Sequence, residues 1–227
     1  MRTGELGYWW RSLGGPPARR PPLVGSTEAD VAIVGAGYTG LWTAYYLKLA
    51  EPPLRIVVLE REMAGFGASG RNGGWVTGFF SGPPRLYEGR GGRDGLVALQ
   101  RAMFATVDEV GRVLERHRID ADFIKAGQVR VALNPAQALR LRERVTRSRE
   151  LGLGERDLRA LDAAELEQRV RVAGARCATF SPHAARVHPG KLLGGLAGVV
   201  QELGVPSWIL TPRSCTTPAR PARSFPG

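Results

Sequence analysis

The 227-residue chain is 43% hydrophobic and 23% charged, with 30 glycines and 16 prolines, a balance that excludes collagen, coiled coil and whole-chain disorder and allows a sizeable core. Its net charge of +11 comes from basic residues that are all Arg except Lys48, Lys125 and Lys191; they are spread along the chain beside Glu and Asp, so no specific nucleic-acid partner is expected. Two cysteines, Cys177 and Cys215, neither with a second Cys or His at ligand spacing, exclude a disulfide framework and a metal centre and point to a reducing cytoplasm.

Residues 1–29 read as an amino-terminal arm. Gly14-Gly15-Pro16-Pro17 and Pro21-Pro22 break any periodicity, and no apolar run of signal-peptide length follows the Tyr8-Trp9-Trp10 cluster. The uncharged run from Val31 to Leu47 is at the lower limit for a membrane span and carries three glycines, so no span is expected. It reads instead as strand, turn and helix. Asp30 to Val34 is a short apolar run of the kind that forms a buried parallel strand, Gly35 to Gly40 is a tight turn, and Tyr38 to Leu49 has Leu41, Ala44, Tyr45 and Lys48 at helical spacing before Pro52-Pro53. Arg55 to Glu60 is a second buried strand, completing one βαβ unit.

Met63 to Gly92 is glycine-rich and aperiodic, a long loop of the kind that is usually functional. Leu96, Leu99, Met103, Val107, Val110 and Leu114 then mark one face of a helix. Gly127 to Leu133 alternates as a half-buried antiparallel strand with Val129, Val131 and Leu133 on one face. Asn134-Pro135 opens a helix to about Leu151, whose Arg140, Arg142, Arg144, Arg147 and Arg149 predict a solvated face. Asp162 and Glu165 form a capping-box pattern, Cys177 to Phe180 reads as a strand, and Pro189 opens a final helix with Leu192, Leu193, Leu196, Val199, Val200 and Leu203 on its apolar side. From residue 205 onward five prolines arrive without any hydrophobic period, and a disordered or aberrant tail, from a truncated or frame-shifted gene, is expected there.

The chemistry concentrates in two glycine motifs. Gly35-x-Gly37-x-x-Gly40 lies between strand and helix, with Glu60 ending the next strand. Gly35 permits the turn, Gly37 lets backbone approach a pyrophosphate, Gly40 lets the helix pack on the strand, and the amide groups at the start of the helix, from Tyr38 and Thr39 on, face phosphate. Glu60 is suited to ribose hydroxyls and repels a 2′-phosphate. The structural alternative is a plain tight turn; the strand, helix, second strand and acid together favour a dinucleotide. The second motif, Gly65 to Trp75, carries Ala68, Ser69, Gly70, Arg71, Asn72, Gly73 and Gly74, dense in donors that suit a further phosphate or ribose contact, where a plain glycine linker would be sparser.

Residues 30–41, Leu59-Glu60 and Gly67 to Gly74 together resemble the FAD-dependent oxidoreductases of the D-amino-acid oxidase and glycine oxidase group, in particular the γ-glutamylputrescine-oxidase-like branch, whose members also begin with a Tyr-Trp arm. The likeness is dense over residues 8–80 and continues to about residue 204, including His188-Pro189-Gly190-Lys191-Leu192. It implies an α/β fold: a Rossmann-like, FAD-binding parallel sheet with a partial antiparallel substrate-domain layer. It also implies FAD on Gly35, Gly37, Tyr38, Thr39, Gly40 and Glu60, with Ala68, Ser69, Arg71, Asn72, Gly73 and Gly74 running toward the flavin ring.

The domain scheme that follows is an arm at 1–29, the first part of the FAD-binding domain at 30–119, a partial substrate domain at 120–187, a returning helix at 188–204 and the tail at 205–227. By the same resemblance the substrate is a small amine or amino acid, deaminated oxidatively by hydride transfer to flavin, with oxygen or another acceptor. Relatives continue well beyond this length, so an incomplete enzyme is expected. The alternatives are a non-catalytic fragment with residual dinucleotide binding and a nicotinamide-dependent dehydrogenase, the latter disfavoured by the second glycine loop. No catalytic residue and no metal ligand is assigned; His117, His183, His188 and the tryptophans read as structural.

Overall fold

The computed structural model describes residues 6–82 and 84–209. Along the chain run α1 (Tyr8–Ser12), β1 (Val31–Val34), α2 (Tyr38–Ala50), β2 (Ile56–Glu60), β3 (Trp75–Thr77), α3 (Arg85–Glu88), α4 (Gly92–Arg116), β4 (Gln128–Ala132), α5 (Pro135–Glu150), β5 (Arg159–Leu161), α6 (Ala163–Arg169), β6 (Cys177–Ser181), β7 (Ala184–Arg186), α7 (Pro189–Glu202) and β8 (Ser207–Ile209). The chain divides into two compact units, one from Met1–Asn72 with Pro189–Gly227 and the other from Gly73–His188.

The first unit is α/β. Its sheet has the order β1-β2-β8 with both pairs parallel, Val31 lying against Ile56 and Val58 against Ser207. Strand β2 is central and apolar, so Ile56, Val57 and Val58 are buried, and they share the core with Leu41, Ala44 and Tyr45 of α2 and Leu192, Leu193, Leu196 and Val200 of α7. Lys48, in the last turn of α2, donates from Nζ to the carbonyls of Pro52, at 2.6 Å, and Leu54, at 2.9 Å, in the loop that follows the helix.

Two expectations change here. Strand β1, read as buried, has β2 as its one neighbour among the described residues and leaves Val34 74% exposed; an apolar run signals strand but not its place in the sheet. The expected tail does not begin at residue 205: Val205 is fully buried, and Ser207–Ile209 extends the parallel sheet. A three-residue strand next to Pro206 is too short to leave a periodic trace. Residues 210–227, with Cys215, lie outside the described residues.

The second unit contains the antiparallel layer, in the order β4-β6-β5, and an antiparallel β3-β7 ribbon. Val129 and Val131 pack with Phe180 on a cluster of Leu161, Leu166 and Ala178. Gln128 and Ala132, on the opposite face of β4, are the buried ones, and Leu133 is 51% exposed, so it lies outside the strand and its alternation. The Asn134 cap and the Asp162–Glu165 capping box both form as the sequence predicts. Cys177 is a half-buried free thiol in β6. His183 stacks on Phe104 with ring centroids 3.7 Å apart and meets Asp157 at 2.8 Å through Nε2, anchoring the turn between β6 and β7. The long loop after Met63 is partly regular, since β3 and α3 lie in it; both are shorter than their periods require for detection. On α5, Arg142 and Arg149 are exposed, but Arg144 is half-buried with its guanidinium 4.4 Å over the Phe79 ring, so the predicted solvated face is interrupted there. Among the described residues no helix is long and apolar enough to cross a membrane.

Candidate dinucleotide-binding site

The site is built at the C-terminal ends of β1 and β2, where an open parallel sheet offers its ligands a crevice. Gly35 leaves β1 at φ +102°, a conformation that favours glycine. Gly37 then caps α2 with extended backbone and no side-chain bond, leaving the positive end of the helix without a side-chain anion of its own. At Gly40 a Cβ would lie 1.9 Å from the Gly35 carbonyl oxygen, so only hydrogen fits where helix crosses strand. Tyr38 opens the helix half-buried, and burial pushes its phenol pKa above the ordinary range. Thr39 is exposed beside it.

Glu60 ends β2 and joins two turns. Its Oε2 accepts the Ala36 amide at 2.8 Å and its Oε1 accepts the Glu62 amide at 3.0 Å. A carboxylate fixed by two backbone donors keeps further lone pairs for a ligand while holding the glycine turn shut.

The second glycine motif folds back onto the first. The Gly65 amide donates to the Ala36 carbonyl at 2.9 Å, and Ala68 to Gly70 form a short 3-10 turn. Ser69 Oγ accepts the Tyr38 amide at 3.0 Å, so the two motifs share a hydrogen bond at the start of α2. Asn72 donates from Nδ2 to the Ser69 carbonyl at 2.5 Å. Arg71 donates from Nε to the Phe66 carbonyl at 2.9 Å and lies over that ring, while Ala68 is exposed. The structure therefore gathers Gly35, Gly37, Tyr38, Gly40, Glu60, Ser69 and Asn72. Gly73 and Gly74 belong to the second unit, where Gly74, at φ +73°, accepts the Val187 amide.

The arm contributes more than sequence reasoning assigned to it. Trp9 donates from Nε1 to the Asn72 carbonyl at 2.7 Å. Trp10 is 3% exposed and packs on the loop glycines: a Cβ on Gly70 would come within 2.7 Å of its Nε1, and one on Gly65 within 3.1 Å of its ring. That Nε1 has no acceptor among the described residues. Arg19 pairs with Glu62 at 2.6 Å. Trp10, Arg19, Ala36, Glu60, Met63 and Ser207 line a cavity of ≈ 390 Å³, a size that suits a nucleoside moiety. The available signal was the Tyr-Trp-Trp cluster ahead of a proline-rich arm, which fixes no contacts by itself.

These residues fit a flavin dinucleotide. The glycine turn leaves open backbone at Gly35, a fixed carboxylate stands at Glu60, and a buried indole N–H lacks an acceptor in the same cavity.

Comparison with known proteins agrees. Residues 30–207 match the family described as FAD dependent oxidoreductase. Gamma-glutamylputrescine oxidoreductase of Escherichia coli (strain K12) is 34% identical over 179 residues, 79% of this chain and 41% of that protein. Glycine oxidase from Geobacillus kaustophilus superposes with a TM-score of 0.60 at 26% identity over 81% of this chain and 47% of that one. L-amino acid deaminase from Proteus vulgaris, at 21% identity and a TM-score of 0.64, shares the fold over 84% of this chain and 47% of its own. The chain thus spans less than half the length of these relatives. With a family match across both units and an FAD-shaped glycine site, the chain belongs to the FAD-dependent oxidoreductases.

Proposed function

We propose that this chain provides the FAD-binding start and part of the substrate layer of an oxidoreductase that acts on small amines or amino acids. The observation that carries the reading is the shared construction of the two glycine motifs through Ser69, Tyr38, Ala36 and Glu60, supported by likeness to gamma-glutamylputrescine oxidoreductase and glycine oxidase.

In this reading Gly35, Gly37 and Gly40, with the first-turn amides of α2, receive the pyrophosphate, and Tyr38 and Thr39 begin the helix that faces it. Glu60 holds the ribose hydroxyls. Ala68, Ser69, Arg71, Asn72, Gly73 and Gly74 carry the chain toward the flavin ring, steadied by Trp9 and Trp10. Bound FAD supplies a two-electron acceptor for the carbon beside a neutral amine. The imine product would be hydrolysed by water, and oxygen or another acceptor would take the electrons. Residues 30–119 act as the cofactor domain's first part, 120–187 as substrate layer and 188–204 as the returning helix, in a reducing cytoplasm that suits the free thiol of Cys177.

The test is titration of the purified chain with FAD, followed by anaerobic mixing with a panel of amines and amino acids. Saturable, one-to-one flavin binding is expected. A chain that binds NAD and not FAD would overturn the cofactor assignment. Binding without turnover by these residues alone is the second reading, favoured by a first strand with a single neighbour among the described residues and an exposed Val34; loss of the flavin's visible absorbance on adding an amine would overturn it.

A further inference from the structure

The second unit contains a cavity of ≈ 370 Å³ between α5 and the chain at Phe79 and Phe80, within the range of small-ligand sites. One wall is apolar, from Phe79, Phe80, Leu151, Leu153 and Leu158. The other is cationic: Arg140, Arg144 and Arg147 lie one turn apart on α5, with Glu143 the single acid among the lining residues.

Arg144 is the unusual member. Its guanidinium is half-buried and lies over the Phe79 ring. Burial, and after it the like charge of Arg130, push its pKa down to about 10. Stacking on an aromatic ring offsets part of that cost and leaves the edges of the guanidinium fork unused. Ser148, 6% exposed, is a lining residue of the same cavity, and its buried hydroxyl has no partner among the described residues, not even the carbonyl one turn earlier. Buried polar groups are normally satisfied, so the unpaired Ser148 hydroxyl beside a half-buried guanidinium at one cavity points to a missing partner.

We propose that this cavity binds a small carboxylate with a compact apolar body, its carboxylate on Arg144 and Ser148 and its body against Phe79, Phe80 and Leu158. Arg140 and Arg147, exposed on the neighbouring turns, add charge at the rim. The carboxylate accepts two parallel N–H bonds from the planar fork, which a neutral amide cannot, and the apolar body covers the hydrocarbon wall, which inorganic phosphate leaves uncovered. This site is independent of the dinucleotide assignment.

Calorimetric titration of the full chain with phenylacetate tests it, with phenylacetamide and inorganic phosphate as comparisons. Phenylacetate is expected to saturate with a Kd of about 1 mM, as befits a ligand of this size. Phenylacetamide and phosphate are expected to bind at least about tenfold more weakly. Arg144→Gln is expected to weaken phenylacetate about tenfold and Ser148→Ala several-fold. Should Arg144→Gln fail to fold by circular dichroism, the exposed pair Arg140→Gln with Arg147→Gln carries the expectation of several-fold weakening. No saturation by about 10 mM phenylacetate, equal binding of the amide or of phosphate, or unchanged binding by a folded Arg144→Gln chain would each overturn the proposal.

Discussion

Ser69 accepts the backbone N–H of Tyr38 through Oγ at 3.0 Å, which makes the second glycine motif a support for the first. A side-chain oxygen caps the amide that opens α2, as an N-cap residue would, but it comes from a loop 31 residues later. The first glycine turn and the second glycine loop are therefore joined at the start of α2.

Substitutions at the three fingerprint glycines separate packing from ligand approach. A Cβ at Gly40 would meet the Gly35 carbonyl oxygen at 1.9 Å, and backbone cannot step aside, so Gly40→Ala is expected to cost about 3 kcal/mol of stability. At Gly37 the obstacle is the Ser69 hydroxyl at 2.9 Å, which turns away with the loss of one hydrogen bond, about 1 kcal/mol. Gly37→Val nevertheless fills the path of the pyrophosphate, and a folded Gly37→Val chain is expected to lose FAD binding. Thermal unfolding alongside quenching of flavin fluorescence reads both; undiminished FAD affinity in Gly37→Val would remove the fingerprint assignment.

Glu60 is a scaffold group by its two backbone bonds, and the proposed ribose contact adds a second role. Glu60→Gln keeps one carbonyl oxygen but turns the other acceptor into a donor, so one of the Ala36 and Glu62 amides loses its partner. The expected cost is about 1–3 kcal/mol without cofactor, and about a tenfold further loss in FAD affinity. A carboxylate that merely ended a strand would show the first effect and not the second, which calorimetry with and without FAD distinguishes.

The legible parts of this chain are those where one residue type answers one local demand. Gly40 could be read because only hydrogen fits its crossing, Asn134 because a cap precedes a proline, and Asp162 because Glu165 stands three residues on. What escaped depends on partners distant in sequence. Nothing around Trp10 announces that its ring packs on Gly65 and Gly70, and nothing in Ser69 names Tyr38 as its donor. Arg144 lies in a run of arginines whose spacing suggests solvent, and Phe79, which desolvates it, lies in a loop with no period. Strand β8 is three residues long, below the length at which alternation can be counted.

Asp30 and Arg55 tie the starts of β1 and β2 together at the surface. Asp30 Oδ2 accepts the Arg55 amide at 2.9 Å and its Nε at 3.1 Å, and Oδ1 accepts Nη2 at 2.8 Å. These bonds from Arg55, side chain first and then backbone, hold the Asp30 pKa at about 2 against its ordinary 3.8. A lowered carboxylate pKa stabilises the fold above the unfolded value, and that stabilisation is lost as pH falls from about 4 to about 2. The gap in urea midpoint between the natural chain and Asp30→Asn is therefore expected to be constant near neutrality and to close over that acid window. The pair is exposed, so salt is expected to narrow the gap. A gap unchanged down to the bottom of the window would show that the ion pair does not form in solution.

Trp10 yields the most discriminating prediction because its two parts act in different states. The ring is 3% exposed and packs where Gly65 and Gly70 leave room, a contribution present with or without cofactor. The Nε1–H has no acceptor among the described residues, in a residue that lines the cavity of Ala36 and Glu60, and a buried donor left unmet costs about 1–3 kcal/mol. Trp10→Phe removes that orphan along with part of the ring, so the packing loss and the relieved donor oppose each other and stability without FAD is expected to change by no more than about 1 kcal/mol. If the indole donates to the cofactor, FAD affinity in the same variant falls by about five- to tenfold. Trp9→Phe provides the contrast, since it breaks a bond already made to the Asn72 carbonyl and is expected to destabilise the loop in both states. Melting curves and FAD titrations of the two variants separate the roles, and wild-type FAD affinity in Trp10→Phe would reduce this indole to packing alone.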